Sequence, residues 1–237
     1  MTTIADNLQR VRTRITLCCA QYARPAESVV LLAVSKTFAS DAVRQAFAAG
    51  QTSFGENYIQ EAVDKMAELK DLPLQWHCIG PIQSNKTRLV ATHFDWVHSV
   101  DRLKIAQRLS EQRPAGMAPL QVCIQVNTDG GPTKAGVTPE ALLELAEQVR
   151  ALPGLRLRGL MSIPEPVDHF EAACAVHART KDLFDDLNTK GFAMDTLSLG
   201  MTADLEAAIC SGSTMVRVGS AVFGARNYAS ASALQPT

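Results

Sequence analysis

The sequence predicts an α/β fold, a (β/α)8 TIM barrel, and three observations carry that expectation. Eight short apolar runs recur along the chain, and a stretch of helical spacing separates each from the next. Regular alternation of this kind means parallel strands joined by crossover helices. The first run, V-V-L-L-A-V at 29–34, is rich in β-branched residues and reads as a strand buried on both faces. The chain has 237 residues, about the length such a barrel takes. An open doubly wound sheet is the alternative. No composition break, linker, low-complexity tract or repeat is visible, so residues 1–237 read as one domain.

Taken in order, Ile4, Leu8, Val11 and Ile15 follow helical spacing and open the chain with an amphipathic helix. Arg10, Arg12 and Arg14 lie between them, but Asp6 and the small apolar face favour packing on the domain over a membrane surface. After the first strand, Ser40 or Asp41 can cap a helix that Gly50 closes. Residues 52–54 form a short strand, and Gly55-Glu56-Asn57 opens a helix whose face is Ile59, Val63, Met66 and Leu69. A strand at 74–79 ends in Gly80-Pro81, and Ser84 or Asn85 caps a short helix. Residues 94–97 form a strand that ends in His98-Ser99, with Asp101 capping the next helix. A strand at 120–126 leads into a turn-rich loop, and Thr138-Pro139-Glu140 is a helix start. The strand at 155–161 carries Arg156 and Arg158 outward, and a helix follows over 168–188. A strand at 196–199, a helix at 202–210 and a strand at 214–218 complete the set.

Composition excludes several classes. Lys+Arg 23 against Asp+Glu 24 gives a net charge of -1, which offers no polyanion-binding surface and no nucleic-acid reading. The six cysteines include no C-x-x-C pair and read as small core residues in a reducing compartment. No long apolar segment marks a signal or a membrane span, so a soluble, cytoplasmic protein is expected. Metal-ligand spacing, a P-loop, a G-x-G-x-x-G after a strand and a Ser/His/Asp signature are all missing from the sequence.

Two charged residues stand out in apolar strands. Lys36 sits where the first strand ends, between Ser35 and Thr37. Strand carboxyl ends form the ligand face of such folds, and a partly desolvated lysine there can attack a carbonyl and form a Schiff base. The competing reading is a lysine that points to water. Arg217 lies in the last strand, M-V-R-V-G-S, and must find an acceptor if buried. Gly219 and Ser220 follow it, and Ser198-Leu199-Gly200-Met201-Thr202 precedes the helix before it. Loops after the seventh and eighth strands of a barrel commonly bind phosphate. The competing reading is an internal Arg–carboxylate pair with ordinary loop glycines. Barrel closure would bring lysine, arginine and cradle together, a trio that suits pyridoxal 5'-phosphate (PLP).

The motifs A-V-S-K-T at 33–37, F-G-E-N-Y at 54–58, W-H-C-I-G-P-I-Q-S-N-K at 76–86 and H-S-V-D at 98–101 extend this. L-R-G-L-M-S-I-P at 157–164, L-G-M-T-A-D-L-E-A-A-I at 199–209 and G-S-T-M-V-R-V-G-S-A-V-F-G-A-R at 212–226 continue the series. With these motifs the chain closely resembles, over nearly its whole length, the YggS/PROSC family of PLP homeostasis proteins. The resemblance implies a barrel like the N-terminal domain of alanine racemase. It implies PLP as a Schiff base on Lys36, Arg217 at the pyridine nitrogen, and phosphate contacts from Thr202, Gly219 and Ser220. Thr202 stands where the family usually has serine and Ser220 where threonine is common, and both keep a hydroxyl. The loop 128–134 lacks the acidic residue often found there. The resemblance implies buffering of PLP without established turnover, because racemases of this type add a second domain with a tyrosine base. The Ala/Ser-rich segment 227–237 could not build one.

Met201 and Asn57 complete the candidate cofactor contacts, although helix capping accounts equally well for Asn57 and for Glu56. His77 reads as a satisfied core histidine, and Ser84-Asn85-Lys86 as a capped helix start. Lys134 reads as a solvated loop lysine or a transient PLP holder, and Asp204 and Glu206 as dipole partners of a helix. The expectation is therefore a monomeric carrier of PLP, not an enzyme, with PLP-dependent apo-enzymes as further partners. The alternative is a weak racemase-like enzyme.

Overall fold

The computed structural model describes residues 2–130 and 134–224. Eight parallel strands close into a barrel in chain order. They are β1 Val30–Val34, β2 Ser53–Glu56, β3 Gln75–Cys78, β4 Trp96–Val100, β5 Leu120–Gln125, β6 Leu155–Met161, β7 Thr196–Ser198 and β8 Met215–Val218. Closure sets β1 against β8, with Leu32 in register with Arg217. The helices are α1 Ile4–Gln21, α2 Ser40–Ala48, α3 Ile59–Glu68, α4 Thr87–His93, α5 Leu103–Gln112, α6 Pro139–Arg150, α7 Phe170–Thr189, α8 Leu205–Cys210 and α9 Ser220–Phe223. The short α9 has no counterpart among the expected elements.

Two layers of side chains hold the barrel. The outer one lies between sheet and helices. There Leu8, Val11, Ile15, Cys18 and Cys19 of α1 are buried against α8 and α9. Each fully buried aliphatic side chain contributes about 1.5 to 3 kcal/mol. Thr3 and Asp6 start α1 with reciprocal hydrogen bonds, a capping box. Two of the basic residues of α1 are tied to the domain: Arg14 pairs with Glu206 at 2.8 Å, and Arg12 donates to the Ala49 carbonyl at 2.8 Å. The inner layer fills the barrel, where Trp96, Cys123 and Met161 form a small separate cluster. Gly159 lets β6 and β7 approach, because a Cβ there would lie 1.6 Å from the Thr196 carbonyl oxygen. The described cysteines are all free thiols.

Several expectations shift. Gly55 and Glu56 finish β2 rather than opening a helix, and α3 starts at Ile59. The buried face of α3 is Ile59, Ala62 and Lys65, so a lysine points at the core where Val63 was expected. His98 and Ser99 lie inside β4, not after it. Neither α2 nor α5 has a side-chain cap: Ala39 and Arg102 hold the cap positions, and Asp101 pairs with Arg102 at 2.7 Å instead. Packing on the sheet fixes these helices without the cap. Residues 202–204 form a turn, and α8 begins three residues later than expected. Arg158 does not point simply outward. Its guanidinium lies 4.8 Å from the Trp96 ring centroid and donates to Gln121 at 2.8 Å.

Candidate functional site

Lys36 is half-buried two residues beyond β1, and its neighbours on both sides are anchored to α3. Ser35 is buried, and its hydroxyl donates to Glu56 Oε1 at 2.6 Å. Lys65 Nζ donates to the same oxygen at 2.8 Å and to the Ser35 carbonyl at 3.0 Å. Thr37 adopts φ 68°, a left-handed conformation that a β-branched residue rarely takes. Its N–H donates to Glu61 Oε1 at 3.0 Å, and Lys65 Nζ lies 3.5 Å from that oxygen. Strain of this kind costs about 1 to 3 kcal/mol and persists where surroundings enforce it. Burial drives the Glu56 carboxyl above the usual carboxylate range, against the opposing pull of the Lys65 ammonium. Its second oxygen, Oε2, is buried without a hydrogen-bond partner among the described residues.

Arg217 stands on the strand beside Lys36's and is buried at 4% exposure. Its guanidinium donates to the Ser198 carbonyl, to Ser198 Oγ at 2.7 Å and to the Ser162 carbonyl at 2.9 Å. Among the described residues no carboxylate forms a salt bridge with it, so the expected alternative of an internal Arg–carboxylate pair does not hold. Burial lowers its pKa to about 10, which still leaves a cation at neutral pH.

The rim completes the site. Thr202 Oγ1 and Ser220 Oγ stand 3.4 Å apart, which joins the turns after β7 and β8. Gly219 packs closely on β1, since a Cβ there would meet the Val34 carbonyl oxygen at 3.2 Å. Met201 is 41% exposed at the rim, but its N–H already donates to Asp204 Oδ1 at 2.6 Å and is not available to an anion. Asp204 stands at the N-cap of α8, as expected, and is a brace as well. Its other oxygen accepts from buried His177 at 2.9 Å, tying the turn to α7. Asn57 Oδ1 is buried and unpartnered among the described residues. The backbone of Asn57 presses on Gly80, where a Cβ would lie 2.5 Å from the Asn57 carbonyl oxygen. Among the described residues no group of three or more His, Cys, Asp or Glu could hold a metal. No helix of the described residues is long and apolar enough to cross a membrane.

The family model of the alanine racemase N-terminal domain matches residues 3–227. The chain is 60% identical over 228 residues to the pyridoxal phosphate homeostasis protein of Pseudomonas aeruginosa, covering 96% of this chain and 98% of that one. It is 51% identical over 231 residues to the Escherichia coli protein of the same name, covering 96% and 99%. The chain belongs to the pyridoxal phosphate homeostasis protein family. Among solved structures it is similar to PipY of Synechococcus elongatus with PLP bound, at TM-score 0.82 and 37% identity, covering 94% of this chain and 100% of that one. A Clostridium difficile alanine racemase shares the fold alone, at TM-score 0.75 and 16% identity, covering 93% of this chain and 57% of the racemase.

The barrel interior holds buried polar residues whose protonation the surroundings fix. His77, expected as a satisfied core histidine, is fully buried and its pKa falls to about 3 through burial. Burial, with His77 and Arg217 adding to it, takes His98 well below the ordinary histidine value. Neutral rings contribute stability that is complete above the unfolded value of 6.5 and is lost as pH falls below it. Each ring should remove about 1.4 kcal/mol of stability per pH unit on the acid side. Urea unfolding should therefore show a clear loss between about pH 6.5 and pH 5, before ordinary carboxylates titrate. A flat profile over that window would contradict the neutral-ring assignment.

Lys134 is an ion-paired loop lysine rather than a simply solvated one. Its Nζ pairs with Asp129 at 2.8 Å and with Glu165 at 2.9 Å. Burial opposes its charge, but the two carboxylates outweigh burial and hold its pKa above the ordinary value, so it is a protonated, poor nucleophile. Residues 131–133 of its loop, Arg226 and the segment 227–237 lie outside the described residues. Lys65, His98 and Ser198 are the site residues that sequence reasoning missed in these roles. The signal for Lys65 was its place three residues after Ala62 on the buried face of α3.

Proposed function

We propose that this protein binds pyridoxal 5'-phosphate, holds it as a reversible Schiff base on Lys36, and serves its homeostasis without a catalytic cycle. The observation that carries this is the pairing of two positions. A lysine held from both sides stands at the barrel mouth, beside a strand that bears a buried guanidinium with only neutral acceptors. The residues fit the group. An unpaired cation inside a barrel calls for an electron-rich partner. The joined hydroxyls of Thr202 and Ser220, with the close turn at Gly219, suit a phosphate. The buried Asn57 Oδ1, which has no donor among the described residues, would accept one from a ligand, and Met201 lines the rim.

When bound, PLP supplies an aldehyde that condenses with a primary amine and releases water. Lys36 supplies the amine. Arg217 orients the ring by donating to its nitrogen. A guanidinium that stays protonated gives up no proton at neutral pH, so it leaves the ring a weak electron sink. This favours storage over amino-acid chemistry, in line with the names of the relatives. The whole chain acts as one barrel domain, monomeric and cytoplasmic, and hands PLP to apo-enzymes that need it.

Incubation of the PLP-loaded protein with D- or L-alanine in D2O tests the non-catalytic part. Deuterium should not enter the alanine Cα beyond the rate of free PLP. Exchange at enzyme rates would overturn storage in favour of a racemase-like activity.

A further inference from the structure

A chain of hydrogen bonds crosses the barrel interior and ends on Arg217. Gln75 Oε1 lies 3.1 Å from His77 Nε2, His77 Nδ1 lies 3.0 Å from His98 Nε2, and His98 Nδ1 lies 2.8 Å from Ser198 Oγ. Ser198 Oγ in turn accepts from Arg217 at 2.7 Å. The chain has one direction only. An amide oxygen accepts and cannot donate, so neutral His77 carries its proton on Nε2 and accepts at Nδ1. His98 must then donate from Nε2 and accept at Nδ1, and among the described residues the donor there is the Ser198 hydroxyl. With its proton committed to His98, Ser198 presents lone pairs to the guanidinium.

We propose that His98, backed by His77 and Gln75, is a positioning residue for Arg217: it fixes the Ser198 hydroxyl in one orientation and so locks the guanidinium in place with neutral partners. The inference rests on the PLP reading for its purpose but not for its geometry. A carboxylate would orient an arginine equally well, and would also cancel its charge. A serine held by a neutral imidazole orients it and leaves the cation's field intact toward the mouth. The groups that face the two rings support neutrality. Trp96 of β4 stacks on His77 with centroids 5.3 Å apart, and Cys123 of β5 is a buried thiol pushed up to about 12. Arg158 of β6 sits over Trp96, and Arg217 of β8 ends the chain. Both charged neighbours are cations, which disfavours an imidazolium.

The test has two parts. In the unaltered protein, long-range proton–nitrogen correlation on 15N-histidine should show both rings as neutral Nε2–H tautomers from about pH 5 to 9. An Nδ1–H tautomer at His98, or a titration within that range, would overturn the proposal, whether or not PLP binds. In the second part PLP affinity is compared in His98→Leu and His98→Asn. His98→Leu removes the acceptor for Ser198 and should weaken binding about tenfold, one hydrogen bond's worth. His98→Asn can offer an amide oxygen where Nδ1 stood and should recover most of that loss, which mere cavity filling would not do. Equal affinity in all three proteins would sink the positioning role while leaving PLP binding intact. Failure of the unaltered protein to bind PLP would sink the functional reading and leave the tautomers to be judged alone.

Discussion

Lys36→Ala is expected to bind PLP at least ~100-fold more weakly than the unaltered chain and to lose the absorbance band of an amine-linked chromophore. The covalent bond is the largest attractive contribution at the mouth. Removing it leaves only what Arg217, Thr202 and Ser220 can hold by charge and hydrogen bonding. The fold should survive, because Ser35 and Thr37 anchor this turn on either side of Lys36. Equilibrium dialysis gives the affinity, and a urea titration checks the fold. Unchanged affinity in Lys36→Ala would show that the site holds its ligand by other means.

Lys65→Met should be the most damaging single change outside the core hydrophobes. The ammonium is 5% exposed and its partner Glu56 is fully buried. Breaking such a pair by removing one partner costs about 3 to 5 kcal/mol, because a buried carboxylate is left without compensation. Burial already pushes the Glu56 carboxyl toward its neutral form, and without Lys65 it should take up a proton. The stability deficit of Lys65→Met relative to the unaltered chain at the same pH should therefore shrink as pH falls toward the raised Glu56 value. Adding Glu56→Leu to Lys65→Met should restore much of the loss, since an apolar pair avoids the desolvation of both charges. Urea midpoints for the single and double variants at two pH values check this. A Lys65→Met variant as stable as the parent would mean that the cluster is not what holds the residues around Lys36.

The barrel was legible because each strand is a compact apolar run and each helix a periodic one. Lys36 and Arg217 were legible for the same reason, as charges that interrupt apolar runs at strand ends. Local reading failed where tertiary contacts decide. His98 and Ser99 looked like the end of a strand because they are polar, yet the barrel interior is where a polar chain is satisfied. Ser198 read as part of an anion cradle, while its hydroxyl serves His98 across the barrel, 100 residues away in sequence. Met201 looked like part of a helix start open to an anion, and Asp204 accepts from its N–H instead. Lys65 had only its spacing from Ala62 to mark it as a core residue, because its counter-charge lies on β2 and its carbonyl acceptor after β1. The period-2 spacing of Trp96 and His98 was the one local sign of an inward polar face.

The most direct measurement is borohydride reduction of the PLP-loaded protein followed by peptide mass mapping. Reduction makes an amine–aldehyde link permanent, so the label marks the nitrogen that held the cofactor. The label should fall on Lys36 alone. Its absence there, with label on Lys65, Lys86 or Lys134 instead, would contradict the assignment of this barrel mouth as a PLP-holding site.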